Sequence, residues 1–330
     1  MTQPIHDDRE KDTMKIVFLD EDTVSLNGDV DLSRVQALGE YKGFTLSPTD
    51  DPVPFCSNAD VVIVNKARMN RSNMEQLPNI RLICEAATGY DNIDLKAARE
   101  RGIHVSNIAG YATKTVVQHV FAMVLLLSNR ILSYQKDVQQ GEWQKSKMFG
   151  LLKYPTFELD GKIFGIIGFG AIGREAARIA EAFGMKVMVH DTVDLSDTGY
   201  KNHSIYEILS ASDVISLHCP LTEHTRNLID GESIDNMKRT AILINTARGG
   251  IVHEGDLAEA LNSGRIAGAG VDTLSVEPPV DENPLLGEVR NLIITPHSAW
   301  SARDARQRLM DMVAERIERF ENGDLGGLIV

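Results

Sequence analysis

The sequence predicts an α/β protein built from two parallel-sheet domains in tandem. Three observations carry that prediction. Short apolar runs alternate with helical stretches in both halves of the chain, and a glycine-rich turn follows one such run near the middle. At 330 residues the chain is also too long for one average domain and comfortable for two, each with its own core.

The elements follow in order. Residues 1–13 are polar and carry no apolar stretch of the signal-peptide kind, so they read as a disordered leader. Strands are predicted at 15–20, 60–65, 81–86 and 103–106, with 92–101 the clearest helix among them. A helix rich in Val, Leu and Met is predicted over 114–134 as the crossover between domains. Its most apolar part, 116–127, is too short to span a bilayer and reads as a buried core helix. A polar and aromatic loop at 139–157 leads into six further strands, at 163–168, 186–190, 214–218, 241–245, 267–271 and 292–295. Six is the number in a complete doubly wound sheet. The last segment, 301–322, places Leu309, Met310, Val313, Ile317 and Phe320 at helical spacing, and this helix is expected to return to the first domain. The expected boundaries are 14–107 with 297–330 for a discontinuous first domain, and 108–296 for the second.

The glycine turn reads Gly165-Ile-Ile-Gly-Phe-Gly-Ala-Ile-Gly173, between a predicted strand and a predicted helix. Gly168 permits the tight turn, Gly170 lets backbone approach a pyrophosphate, and Gly173 allows helix and strand to pack closely. Phosphates would sit on N–H groups at the helix N-terminus. Asp191 closes the next strand, where a carboxylate can accept from both hydroxyls of an adenosine ribose and repel a 2′-phosphate. NAD is therefore expected, in preference to NADP.

A net charge of −13 argues against nucleic acid and against an anionic membrane, and means that an anionic substrate must be caught by local cations. Cys56, Cys84 and Cys219 lie far apart without metal-ligand spacing, so no metal is expected. They read as buried thiols in a reducing compartment, the cytoplasm.

In an open α/β sheet, ligands bind beyond the carboxyl ends of the strands. Arg248, Asp272 and His297 each stand just past a predicted strand of the second series, and Glu277 follows five residues after Asp272. A ketone that receives a hydride becomes an alkoxide and needs a proton from a group titrating near neutrality, for which histidine is suited. A carboxylate behind the imidazole fixes its tautomer. An arginine offers a fixed fork of donors to a substrate carboxylate and polarises the ketone oxygen. Lys66, at a strand end of the first series, is a candidate second cation for the substrate.

Several stretches carry a family likeness: Ala87-Thr-Gly-Tyr-Asp-Asn-Ile-Asp94, Gly165–Gly173, His218-Cys-Pro-Leu-Thr-Glu-His-Thr225, Asn245–Gly250, Gly270-Val-Asp-Thr273 and Thr295–Trp300. On these, from about Met14 to the C-terminus, the chain resembles the D-isomer-specific 2-hydroxyacid dehydrogenases. The resemblance implies two Rossmann-like domains, a flavodoxin-like substrate domain and a doubly wound NAD-binding domain, in a homodimer. It implies that Arg248 binds substrate, that His297 is the acid/base and that Glu277 pairs with it. Backbone N–H groups around Thr88 and Gly89 would take the substrate carboxylate. The cofactor would meet Gly168, Gly170, Ala171, Ile172, Gly173, Asp191, His218, Cys219, Pro220 and Thr225 on its adenosine and phosphate side. Thr246, Ala247, Arg248, Asp272 and His297 would meet its nicotinamide side, with Asp272 holding the carboxamide.

Within that family the chain is most similar to glycerate dehydrogenases, also called hydroxypyruvate reductases. The likeness lies in Val64-Asn-Lys-Ala67, in the Gly141-to-Phe157 loop and in His297–Ser301 running into Ala305–Met310. Ser298, where that subgroup suggests an apolar residue, and Met148-Phe-Gly-Leu-Leu152 depart from its pattern. The activity implied is reduction of hydroxypyruvate to D-glycerate, with glyoxylate as a second substrate. The alternatives are a phosphoglycerate, lactate, formate or phosphite dehydrogenase, or an NAD-sensing binding protein of the corepressor type built on the same fold.

Overall fold

The computed structural model describes residues 13–279 and 282–330, so the leader expected at 1–13 falls, apart from Thr13, outside the described residues. The chain divides into two compact units. The first joins the described residues through Ala112 to Ser301–Val330, and the second is Thr113–Trp300.

The first unit holds a parallel sheet of β1 (Lys15–Phe18), β2 (Glu40–Gly43), β3 (Val61–Val64), β4 (Leu82–Glu85) and β5 (His104–Asn107), in the order β2-β1-β3-β4-β5. This is the flavodoxin-like order. β3 and β4 are buried at every position, as Val/Ile-rich interior strands of a parallel sheet must be. β2 was not predicted. It is Glu-Tyr-Lys-Gly, mostly exposed, and lies at the sheet edge, where a strand needs no apolar pattern. The predicted helix 92–101 is shorter, Leu95–Glu100, because the Asp94 side chain caps it by accepting from the Ala97 N–H.

The C-terminal helix Arg303–Glu321 buries Leu309, Met310, Val313, Ile317 and Phe320. Arg306 anchors it: the guanidinium forks onto the Asp29 carboxylate at 2.7 and 2.6 Å and reaches the Val24 carbonyl at 2.8 Å. The chain end then lies antiparallel along β5, with the Ile329 N–H donating to Val105.

The second unit holds β6 (Ile163–Ile167), β7 (Lys186–His190), β8 (Val214–Leu217), β9 (Ile242–Asn245), β10 (Gly268–Val271) and β11 (Leu292–Ile294), in the order β11-β10-β9-β8-β6-β7. All pairings are parallel. The six predicted strands are present, but they are not the first six of the doubly wound order 3-2-1-4-5-6. The third is reduced to a single parallel bridge, Asn202 against Val189 beside β7. One bridging residue leaves no periodicity to read.

The predicted helix 114–134 is also corrected. It is two helices, Thr113–Ser128 and Ile131–Gln139, bent by 58°. Arg130 adopts left-handed backbone at φ 53° and its guanidinium donates to the Ala267 carbonyl, so a tertiary contact holds the break. Among the described residues no single helix is long and apolar enough to cross a membrane. The first of the pair instead packs Val117, Val120, Phe121, Val124 and Leu127 into the core of this unit.

The unit boundaries fall at 112/113 and 300/301, rather than at 107/108 and 296/297. Residues 108–112 stay with the first unit through the Ile108 N–H on Ala87 and the Arg308 side chain on the Tyr111 carbonyl. Residues 297–300 stay with the second, because His297, Ser298 and Ala299 all donate backbone N–H groups to Asp272.

Candidate active site

The glycine turn follows β6 and opens the helix Ala171–Ala182. Gly168 has φ +97°, and a Cβ on it would stand 2.4 Å from the Cys219 nitrogen and 2.5 Å from the His218 carbonyl carbon. A Cβ on Gly173 would stand 2.3 Å from the Gly168 carbonyl oxygen. These two glycines thus allow backbone to touch backbone. Gly170 differs, since a Cβ there meets nothing within 4 Å. The helix it opens has no side-chain cap, so its first N–H groups, at Ala171 and Ile172, lie beside open space.

Asp191, just past β7, turns one carboxylate oxygen onto the Phe169 N–H of the glycine turn, and the other accepts from Val193. Burial works against its charge, but the N–H groups of Phe169, Val193 and Thr192 outweigh it and hold the carboxyl below the ordinary range. The acid is thus ionised and tied to the glycine turn. Past β8, His218 Nε2 lies 2.9 Å from the Ser216 hydroxyl, and loss of solvation lowers the imidazole to about 4, so it is neutral at pH 7. Cys219 is a buried thiol raised by burial to about 11. The Thr225 hydroxyl donates to the Pro220 carbonyl at 2.6 Å and accepts from Thr222, which closes the 220–225 turn.

β9 ends at Asn245, whose amide clamps the next turn: Oδ1 accepts from Ala247 at 3.1 Å and Nδ2 donates to the Arg248 carbonyl at 2.9 Å. Arg248 Nη1 donates to the Ala247 carbonyl at 2.9 Å. The Thr246 hydroxyl is buried with no partner among the described residues. A Cβ on Gly249 would fall 1.9 Å from the Leu274 carbonyl carbon, so only glycine lets the Arg248 turn press against the loop that carries Glu277.

In that loop Glu277 Oε1 accepts from the Leu274 N–H at 2.9 Å, and Oε2 lies 2.7 Å from His297 Nδ1. The carboxylate is pinned at one oxygen and holds the imidazole with the other. His297 itself takes left-handed backbone at φ 51°, a strained choice for a non-glycine residue. Its N–H donates to the Asp272 carbonyl at 2.7 Å, and the Trp300 indole N–H donates to its own carbonyl at 2.9 Å.

Asp272 is 1% exposed, and its carboxylate accepts from the Thr295 hydroxyl, the Ser298 N–H and the Ala299 N–H. Its visible work is therefore to hold the His297 turn. The departure at Ser298 enters through its backbone. Asn245 and His119, which contacts Thr295 at 2.9 Å, were not singled out from the sequence. Asn245 sits inside the recognised Asn-Thr-Ala-Arg-Gly-Gly stretch and could have been; His119 is a lone histidine in an apolar helix and carries no such signal.

Lys66, Thr88 and Gly89 belong to the first unit, at the carboxyl ends of β3 and β4. The Asp20 carboxylate fixes the turn at Lys66 by accepting from the N–H groups of Asn65, Lys66 and Ala67. The Thr88 hydroxyl donates to the Ile108 carbonyl at 3.2 Å, and its carbonyl accepts from Asn107 at 2.7 Å.

Residues 121–299 match the model of the D-isomer specific 2-hydroxyacid dehydrogenase family, NAD binding domain. The chain belongs to this family. It is 41% identical to a hydroxypyruvate reductase of Blautia hydrogenotrophica over 94% of this chain and 98% of the relative. It is 41% identical to a glycerate dehydrogenase of Methylorubrum extorquens over 94% of this chain and 97% of the relative. Among solved structures, D-lactate dehydrogenase of Aquifex aeolicus with NAD and lactic acid superposes with a TM-score of 0.81 at 29% identity, covering 96% of this chain and 99% of that one.

The dehydrogenase is an NAD-dependent oxidoreductase. Its matched span contains the glycine turn, Asp191, Arg248, Glu277 and His297. The residues present fit the dinucleotide: the open space at Gly170 over uncapped helix N–H groups suits a pyrophosphate, and the unpartnered Thr246 hydroxyl beside Arg248 offers a further polar group.

Proposed function

We propose that the enzyme reduces hydroxypyruvate to D-glycerate, with glyoxylate as a second substrate. The observation that carries the mechanism is the 2.7 Å contact between His297 Nδ1 and Glu277 Oε2. A carboxylate accepts only, so Nδ1 holds its proton and Nε2 is left as the exchangeable position. In the reducing direction His297 gives the Nε2 proton to the ketone oxygen, and the neutral ring keeps its Nδ1–H on Glu277. Arg248 binds the substrate carboxylate and polarises the ketone. Lys66 and the backbone around Thr88 and Gly89 are substrate contacts on the family resemblance, and Asp191 selects NAD through the ribose. Bound NADH supplies the hydride.

The names of the two relatives at 41% identity support this choice of substrate. The test is NADH oxidation with hydroxypyruvate, glyoxylate, pyruvate and 3-phosphohydroxypyruvate in parallel. The kcat/KM is expected to be highest for hydroxypyruvate. A higher value for another acid would move the substrate and keep the mechanism, whereas tight NADH binding without turnover on any of them would favour an NAD-sensing protein.

We also propose a cytoplasmic homodimer. The free, buried thiols Cys56, Cys84 and Cys219 suit a reducing compartment. Ile131, Leu132, Trp143, Met148, Phe149 and Leu152 are exposed apolar residues within one stretch of chain, Phe149 and Leu152 at 96% and 98%. So much exposed apolar surface marks an interaction site. Light scattering is expected to give twice the 36.4 kDa of the chain. The F149S/L152S variant is expected to dissociate; a monomeric parent protein would end the proposal.

A further inference from the structure

The Thr113–Ser128 helix turns Val116, Val117, Val120, Phe121, Val124 and Leu127 into the core, and its one imidazole, His119, is half-buried beside them. His119 Nε2 lies 2.9 Å from the Thr295 hydroxyl oxygen and 3.8 Å from Asp272 Oδ1. The same hydroxyl oxygen lies 2.5 Å from Asp272 Oδ1. These contacts fix the direction of the protons. A carboxylate oxygen only accepts, so the single hydroxyl proton of Thr295 points to Asp272. The proton between Thr295 and His119 must then belong to Nε2.

The chain of donors runs from His119 to Thr295 to Asp272, and Asp272 in turn receives the turn that presents His297. Its carbonyl takes the His297 N–H, Oδ1 takes the Ser298 N–H at 2.9 Å, and Oδ2 takes the Ala299 N–H at 3.0 Å. Three consecutive N–H groups thus end on one residue. A non-glycine residue in left-handed backbone persists only where its surroundings over-determine it. At His297, φ 51°, Asp272 supplies that constraint, and His119 orients the carboxylate through Thr295.

We propose that His119 is a positioning residue for the reaction. By donating from Nε2 to Thr295 it keeps the hydroxyl on Asp272 and the His297 imidazole aligned with Glu277. This rests on the reading of His297 as the proton donor. It makes His119 a requirement for turnover more than for cofactor affinity, since its contacts reach the expected nicotinamide side only through Asp272 and touch neither the glycine turn nor Asp191.

The test compares His119→Leu, His119→Gln, Thr295→Val and the double variant H119L/T295V in the holoenzyme assay with hydroxypyruvate. NADH affinity is followed by fluorescence and Tm as a folding control. His119→Leu is expected to lose on the order of 10- to 100-fold in kcat, the scale of a small misplacement of a reacting group, with little change in NADH affinity. His119→Gln, whose terminal amide can donate from near the Nε2 position, is expected to recover most of that loss. The double variant is expected to be no slower than the worse single, because both act through Asp272. Wild-type kcat in His119→Leu, or a His119→Gln variant as slow as His119→Leu, overturns the proposal. His297→Asn in the same assay separates the two readings. If it retains turnover, the assignment of His297 fails; if it is inactive beside a fully active His119→Leu, only the role of His119 fails.

Discussion

Replacing His297 with asparagine is expected to lower kcat for keto-acid reduction by about 10²- to 10⁴-fold, the usual contribution of a placed general acid. Asparagine is the apt replacement because it tolerates left-handed backbone, and His297 sits at φ 51°. The turn held by Asp272 and Trp300 therefore survives, and the loss reports the missing proton donor rather than a collapsed loop. NADH affinity is expected to stay close to that of the parent. A variant with near-parental turnover would place the acid elsewhere.

The second large effect concerns stability and lies in the first unit. Glu85 ends β4 with no exposed surface; its Oε2 accepts from the Asn92 amide at 2.9 Å and its Oε1 has no partner among the described residues. Burial pushes this carboxyl from 4.5 up to about 9, helped by the nearby charge of Asp20 and opposed by the Asn92 hydrogen bond and Lys66. The folded state therefore keeps a proton that the unfolded chain releases. The stability it contributes is complete below 4.5 and is lost as pH rises toward 9. At about 1.4 kcal/mol per pH unit, the penalty reaches on the order of 3 kcal/mol near pH 7. Glu85→Gln keeps an oxygen for the Asn92 amide and removes the ionisable proton. It is expected to unfold at higher denaturant than the parent near pH 8, and the two curves are expected to converge as pH falls toward 4.5. A variant less stable than the parent at pH 8 would mean that Glu85 is charged in the fold and supported by groups other than Asn92.

The family and the cofactor were legible because their signals are local. Gly168, Gly170 and Gly173 stand at fixed spacing between a strand and a helix, and Asp191 closes the next strand. Arg248, Glu277 and His297 each follow a strand whose apolar run is unmistakable, and the rule that ligands gather at carboxyl ends of strands needs only those runs. The amphipathic spacing of 301–322 likewise marked the residues that the last helix buries. What escaped was structure without local pattern. β2 is polar because it is an edge, the third strand of the doubly wound order is one bridging residue, and the bend at Arg130 depends on a carbonyl 137 residues away.

The sequence by itself determined the two sheets, the glycine turn after β6 and the candidate His/Glu/Arg set, since period, glycine spacing and chain order are properties of short stretches. Only the tertiary structure decided how that set is held. Gly249 admits the Leu274 backbone, Glu277 is pinned by its own loop before it meets His297, and Asp272 draws in the His297 turn under a histidine 176 residues from Thr295 in the chain. Hydrogen bonds of that reach have no period and no spacing. They exist because parallel strands bring the ends of distant segments side by side, and the side chains that meet there are chosen by packing.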